Sequence, residues 1–317
     1  MGPEPETAAL LRSFADSPGP PIEQLTLEGA REGLRALFTA LAGPPAPVGF
    51  VRAGTLPGPG GPLPYRLYRP EGGPGGRLPL VLFLHGGGWS LGDLDGYDGF
   101  CRSLCRESGM LVLSLDYRLA PENPYPAGLD DAYAALGWVA ANADALGADP
   151  ARIVMAGDSA GGTLATSVCR LARDRGGPAV AAQVLLYAVL ALADEERLPS
   201  RAENGEGGNF LTNEGIAWAK EMYLAGRPDL ARDPLVSPLW AEEVAGLPPA
   251  LVVTAGLDPL RDEGRMYAEK LRAAGVDADY RCHEGTIHAF LSFAGALRIA
   301  RDGMREVGAW LKARLGA

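Results

Sequence analysis

The sequence predicts an α/β fold: an eight-stranded, mostly parallel sheet flanked by helices. Three observations support this. From Leu78 onward, short apolar runs alternate with helical segments, which is the pattern of βαβ units. Those runs are apolar throughout instead of alternating with polar residues, as strands covered on both faces must be. The 317 residues, 47% of them hydrophobic, suit one large α/β domain carrying insertions.

Taken in order, residues 6–17 and 26–42 read as helices, the second with Leu27, Ala30, Leu34, Leu37, Phe38 and Leu41 along one face. Gly43 to Pro47 closes this region, so residues 1–44 are expected to form cap helices ahead of a catalytic domain at 45–317. Val48–Thr55 and Leu63–Tyr68 read as an antiparallel hairpin joined by a Gly/Pro turn. The parallel strands are expected at Pro79–His85, Met110–Asp116, Arg152–Gly157, Ala182–Ala188, Ala250–Ala255 and Ala278–His283. The helices between and after them are expected near 97–108, 127–144, 160–175, 262–274 and 294–315. Residues 191–245 separate two strands by far more than one crossover helix requires. This stretch reads as a charged loop, Asp194 to Gly208, followed by a helix near 212–225. It is expected to lie above the sheet and form a helical cap with the N-terminal helices, so that Leu10, Leu11, Phe14, Phe38 and Trp218 find an apolar partner.

Composition excludes several classes. A net charge of -10 argues against nucleic acid, whose phosphates select basic surfaces. No uninterrupted apolar run approaches the roughly 20 residues needed to cross a bilayer. The acidic start of the chain lacks the basic-then-apolar order of a signal peptide. Cys101, Cys105, Cys169 and Cys282 have no metal-ligand spacing, and a reduced chain in the cytoplasm is the simplest reading.

Four places carry chemistry. Gly157-Asp158-Ser159-Ala160-Gly161 lies where a buried strand meets a helix, so Ser159 sits in a G-x-S-x-G turn too tight for bulk two residues away on either side. A serine hydroxyl needs a base, an orienting acid and a place for negative charge to develop. The chain has three histidines, and His85 precedes the nucleophile at a strand end, so it belongs to another part. Of the other two, His283 falls within a strand or at its end. His288 follows the expected loop 284–287, where a ring can move slightly, so it is taken as the base. Asp258 follows the strand ending near Leu257 and is taken as the acid, whereas Asp262 and Glu263 open the next helix at the positive end of its dipole. His85-Gly86-Gly87-Gly88-Trp89 offers unobstructed backbone N–H groups that can point at an oxyanion, with Ala160 supplying another. No GK[ST] follows it, which argues against a phosphate loop.

These segments, with Asp116-Tyr117-Arg118-Leu119-Ala120-Pro121-Glu122, Asp258 to Glu263 and Ile287-His288-Ala289-Phe290, resemble the hormone-sensitive-lipase-like family of α/β-hydrolases. Within that family the chain is most similar to bacterial carboxylesterases of the Gly-Asp-Ser-Ala-Gly branch, over residues from about 45 to the C-terminus. The resemblance implies an α/β-hydrolase fold and a Ser159–Asp258–His288 triad. It further implies an oxyanion hole at Gly87, Gly88 and Ala160, a segment 116–122 bracing the glycine loop, and short to medium acyl esters as substrates. No metal or organic cofactor is implied. The chain departs from the family pattern at Ala289, where members carry glycine, and at Ala188, where they carry proline. Two other readings share the same pocket: a small-molecule receptor that has lost a triad member, and an amidase or lactonase using the same triad. The partner expected is a small ester, with neither nucleic acid nor a membrane span, and a homodimer through the last strand and the 294–315 helix is compatible with the pattern.

Overall fold

The computed structural model describes residues 2–20, 22–72 and 76–316. Its first helices are α1 (Pro5–Asp16) and α2 (Leu27–Leu41), followed by strands β1 (Phe50–Gly58), β2 (Gly61–Arg69) and β3 (Leu78–Leu84). Next come α3 (Asp98–Ser108), β4 (Leu111–Leu115), α4 (Ala127–Ala141), α5 (Ala143–Leu146), β5 (Ala148–Asp158), α6 (Ala160–Arg175) and β6 (Ala182–Leu186). The chain ends with α7 (Pro199–Asn204), α8 (Asn213–Leu224), β7 (Ala250–Leu257), α9 (Arg261–Ala273), β8 (Ala278–Ile287) and α10 (Arg298–Leu315).

The eight strands form one sheet in the order β1-β2-β4-β3-β5-β6-β7-β8. β1 pairs antiparallel with β2 and β2 with β4, and all later pairings are parallel. The uniform apolar character of the central strands has a direct cause. In β3, Leu80, Leu82 and Leu84 enter the core beneath α4, α6 and α9, while Val81 and Phe83 enter the opposite core with α3 and α10. The same alternation divides Ile153 and Met155 from Val154 and Ala156 in β5. Each strand residue is buried on whichever side it faces, so no polar period survives.

The N-terminal helices join the second core through Leu10 and Phe38, with Leu11 and Phe14 packed against it. The Phe14 ring lies 5.8 Å from Phe210, and Phe210 lies 5.4 Å from Phe293, linking α1 to the stretch between β6 and β7. Trp218, on α8, packs instead against the first core.

Several expectations change. The segment 194–208 contains a short helix, α7, where a loop is expected; its polar residues Ser200, Arg201 and Asn204 are buried. The 127–144 helix divides at Asn142, whose side chain donates to the Trp138 carbonyl at 2.9 Å. The last helix begins at Arg298 rather than 294. Residues 284–287 are not a loop: β8 runs through them to Ile287, with a register shift that pairs Ala255 with His283 and then Leu257 with Ile287. The extra residues on β8 form a bulge, which re-aims the residue that follows the strand.

Candidate active site

All the candidate residues lie at the carboxyl edge of the parallel strands. Ser159 sits between β5 and α6 with φ 50 and ψ -122, a backbone region that side chains rarely occupy. A Cβ on Gly157 would overlap the Gly161 carbonyl, and one on Gly161 would overlap the Leu84 carbonyl. Both positions therefore exclude any side chain. The Ser159 N–H is used in the sheet, donating to the Leu186 carbonyl at 2.9 Å, so the hydroxyl is left to project from the turn.

His288 follows β8 directly. Its Nε2 lies 3.0 Å from Ser159 Oγ, and its Nδ1 lies 2.8 Å from Asp258 Oδ2. With Nδ1–H donating to the carboxylate, Nε2 is free to accept from the serine hydroxyl. Asp258 follows β7, is fully buried, and accepts the Leu260 N–H on Oδ1 at 2.8 Å. The Tyr187 ring stands edge-on to the imidazole at 5.1 Å. His283 does not join this group: its Nε2 lies 3.8 Å from Glu306, and its ring packs on Phe290. His85 is wholly buried beneath the glycine loop, stacked 4.5 Å from Tyr117, and burial holds its imidazole below the ordinary range.

The loop after β3 turns through positive φ at Gly87 (109), Gly88 (58) and Trp89 (58). Among the described residues, the N–H groups of Gly87, Gly88 and Ala160 bond no protein acceptor. The loop is held from three sides. Tyr117 donates its hydroxyl to the His85 carbonyl at 2.7 Å, and the Ala120 N–H bonds the Trp89 carbonyl at 2.9 Å. Arg31 of α2 donates to the Ser90 carbonyl at 2.9 Å while forking onto Glu122 at 2.8 Å. Asp158 accepts the Gly86 N–H at 2.7 Å and the Tyr97 hydroxyl at 3.0 Å. Burial pushes its carboxyl up to about 7, opposed by these two hydrogen bonds and by His288.

Sequence reasoning missed two supports. Asp158 lies inside the serine motif, but its partner Tyr97 carries no local signal. Helix α7 is the other. The Ser200 N–H donates to Asp262 at 2.9 Å, and its hydroxyl donates to the Pro259 carbonyl at 2.8 Å. Arg201 pairs with buried Glu263 at 3.3 Å, and Asn204 donates to the Asp258 carbonyl at 3.4 Å. The short helix thus clamps the segment bearing Asp258. Burial raises the Glu263 carboxyl to about 8, with Arg201 pulling the other way. Ala289 has φ 62 and ψ 12, a left-handed conformation that glycine adopts without strain.

Comparison with known proteins identifies the family of this fold. Residues 81–292 match the alpha/beta hydrolase fold family. The carboxylic ester hydrolase LipN of Mycobacterium tuberculosis is 45% identical over 238 residues, covering 74% of this chain and 62% of LipN. The carboxylesterase NlhH of the same species is 42% identical, covering 74% of this chain and 73% of NlhH. Among solved structures, an ester hydrolase from the metagenome of Lake Arreo, complexed with a bipyridine phosphonate derivative, superposes with a TM-score of 0.95. It is 38% identical, with both chains covered in full. A hyperthermophilic esterase from the archaeon Pyrobaculum calidifontis gives a TM-score of 0.90 at 38% identity over 99% of each chain. The chain belongs to the α/β-hydrolase fold family, in its hormone-sensitive-lipase-like group.

Proposed function

We propose that the chain is a serine carboxylesterase acting on small esters through a Ser159–His288–Asp258 triad. The observation that carries this reading is the continuous line from hydroxyl to imidazole to carboxylate, at 3.0 and 2.8 Å, beside unused backbone amides. As Ser159 Oγ attacks the ester carbonyl, His288 Nε2 takes its proton and Asp258 stabilises the resulting imidazolium. Negative charge on the carbonyl oxygen is met by the N–H groups of Gly87, Gly88 and Ala160. His288 then returns the proton to the leaving alcohol, leaving an acyl-serine. Water, deprotonated by His288, releases the acid and restores the hydroxyl.

Short to medium acyl chains are the expected substrates, as the family resemblance implies; Ser159 and His288 themselves are only 8% and 5% exposed. The N-terminal helices and residues 191–245 are proposed as the cap that sets this limit; removing residues 1–42 should then change acyl preference. Four free cysteines support an intracellular site of action. A homodimer through the free edge of β8 and through α10 would appear as twice the chain mass in sedimentation.

The decisive experiment is Ser159→Ala assayed with p-nitrophenyl butyrate. Turnover should drop by roughly four orders of magnitude or more while the fold is kept. Retained hydrolysis would overturn the reading.

A further inference from the structure

Helix α8 rests on the glycine loop at two successive points. A Cβ placed on Gly88 would stand 2.7 Å from that of Ala219, so the helix lies directly over this glycine. One turn further along, Tyr223 stacks its ring on Trp89 with centroids 4.2 Å apart and planes 7° from parallel. Trp89 is the residue next to Gly88, and it is a bulky side chain held at φ 58. Such a conformation persists only where the surroundings enforce it. Its carbonyl is fixed by the Ala120 N–H at 2.9 Å, and its ring is fixed by Tyr223.

Tyr223 is itself braced. Its carbonyl accepts the Tyr125 N–H at 2.8 Å, the Tyr125 ring meets it edge-on at 5.6 Å, and the Tyr125 hydroxyl donates to Asp233 at 2.8 Å. Arg227 donates to the Tyr125 carbonyl at 2.8 Å. The far end of the stack is therefore anchored to three parts of the chain.

We propose that Tyr223 is a positioning residue for the oxyanion amides, acting through the ring of Trp89. This rests on the functional reading of Gly87 and Gly88 given above and extends it: α8 and the oxyanion loop move as one piece. A shift of the helix would turn the very amides that receive the developing charge. The contact that matters is the ring face, since the Tyr223 hydroxyl has no protein partner among the described residues.

The test uses the intact chain with Tyr223→Leu and Tyr223→Phe, assayed on p-nitrophenyl butyrate. Loss of the stack in Y223L should lower kcat by roughly 10- to 50-fold and leave KM within about threefold, since misplaced oxyanion donors are felt in the transition state. A trifluoromethyl ketone, which Ser159 adds to as a tetrahedral oxyanion, should weaken by the same factor, whereas butyrate should inhibit as before. Y223F, which keeps the ring face, should recover most of the lost turnover. Trp89→Leu cuts the stack from its other side and should give the same split; it supplies the readout if Y223L does not fold. Unchanged kcat in folded Y223L, a loss carried by KM, or a phenylalanine variant as poor as leucine would each overturn the proposal. A Ser159→Ala control separates the two levels: if S159A stays active, the functional reading fails. If S159A is dead and Y223L is as fast as the parent, only the coupling fails.

Discussion

Replacing Asp158 with asparagine tests whether a buried carboxyl beneath the glycine loop imposes a pH-dependent cost on the fold. Asparagine can accept the Gly86 N–H on its oxygen and donate to the Tyr97 oxygen on its other side, so the geometry is kept and the ionisation is removed. An ordinary aspartate ionises near pH 3.9, and burial holds Asp158 up to about 7. Between those limits the native state keeps a proton that the unfolded chain has already released. The unfolded state thus binds fewer protons, and stability falls as pH rises, by about 1.4 kcal/mol per unit. Above about pH 7 both states are ionised and the loss is constant. Going from about pH 5 to about pH 8.5 crosses two of the three units, so the wild-type chain should lose roughly 3 kcal/mol through this group. D158N does not share that loss. Urea unfolding of both proteins at the two pH values should therefore show the variant gaining on wild type by roughly 3 kcal/mol as pH rises. A difference that stays flat, or shrinks, would refute the reasoning. Asp158→Ala provides the contrast. It leaves the Tyr97 hydroxyl without an acceptor and the Gly86 N–H with only its longer bond to the Tyr97 oxygen at 3.1 Å; the stranded hydroxyl alone costs about 1–3 kcal/mol.

Other expectations concern backbone and buried charge. Ala289→Gly relieves left-handed strain of about 1–2 kcal/mol but gives up one buried methyl and some chain rigidity, each worth about 0.5–1 kcal/mol; unfolding should shift by less than about 1 kcal/mol. Ala289→Val, β-branched at the same φ, should lose roughly 2 kcal/mol or more in the same measurement. Arg201→Met leaves Glu263 buried without its cation and should cost roughly 3 kcal/mol. That deficit should widen only above about pH 8 in urea titrations, where wild-type Glu263 ionises beside Arg201 while the variant's buried acid keeps the proton that its unfolded chain has released. Gly161→Ala drives a methyl into the Leu84 carbonyl, and purified protein should show both a lowered melting temperature and hydrolysis reduced by at least about 100-fold.

The strands were readable because burial on both faces leaves one simple mark, an unbroken apolar run, and Leu78–Leu84 shows it at every position. Ser159 and Asp258 could be placed because each follows an apolar strand, and strand ends meet at one edge of a parallel sheet; His288 is expected on a loop, whereas it directly follows β8 and still lies 3.0 Å from Ser159. What stayed hidden depends on partners distant in sequence. Glu284 to Ile287 reads as a loop because glycine and charge interrupt it, yet β8 runs on through a bulge and pairs again with β7 at Ile287. Pro199 to Asn204 reads as charged loop because its polar residues suggest solvent; in the fold they face the backbone and carboxylates around Asp258, which satisfies them while buried. Tyr97 and Tyr223 look like ordinary core aromatics. Their tasks come from Asp158 and Trp89, to which no sequence period connects them.

Strain gathers where the chemistry is proposed. Of the seven non-glycine residues with positive φ among those described, four lie at the site: Trp89 after the glycines, Ser159 itself, Tyr187 against the imidazole, and Ala289 just past it. At about 1–3 kcal/mol each, they could consume a share comparable to a typical net stability of about 5–15 kcal/mol. The surrounding strands are buried where they reach the site, β3 and β7 nearly end to end and β5 from Ile153 to Asp158, and they provide the opposing term. A rigid, two-faced core is thus what allows four backbone positions at its rim to stay in unfavourable conformations that aim a hydroxyl, an imidazole and a row of amides at one point. Substitutions that relax those positions should raise the melting temperature and lower turnover together. A variant at Trp89 or Tyr187 that relaxes the backbone and improves both would show that the strain is incidental to the site rather than part of its construction.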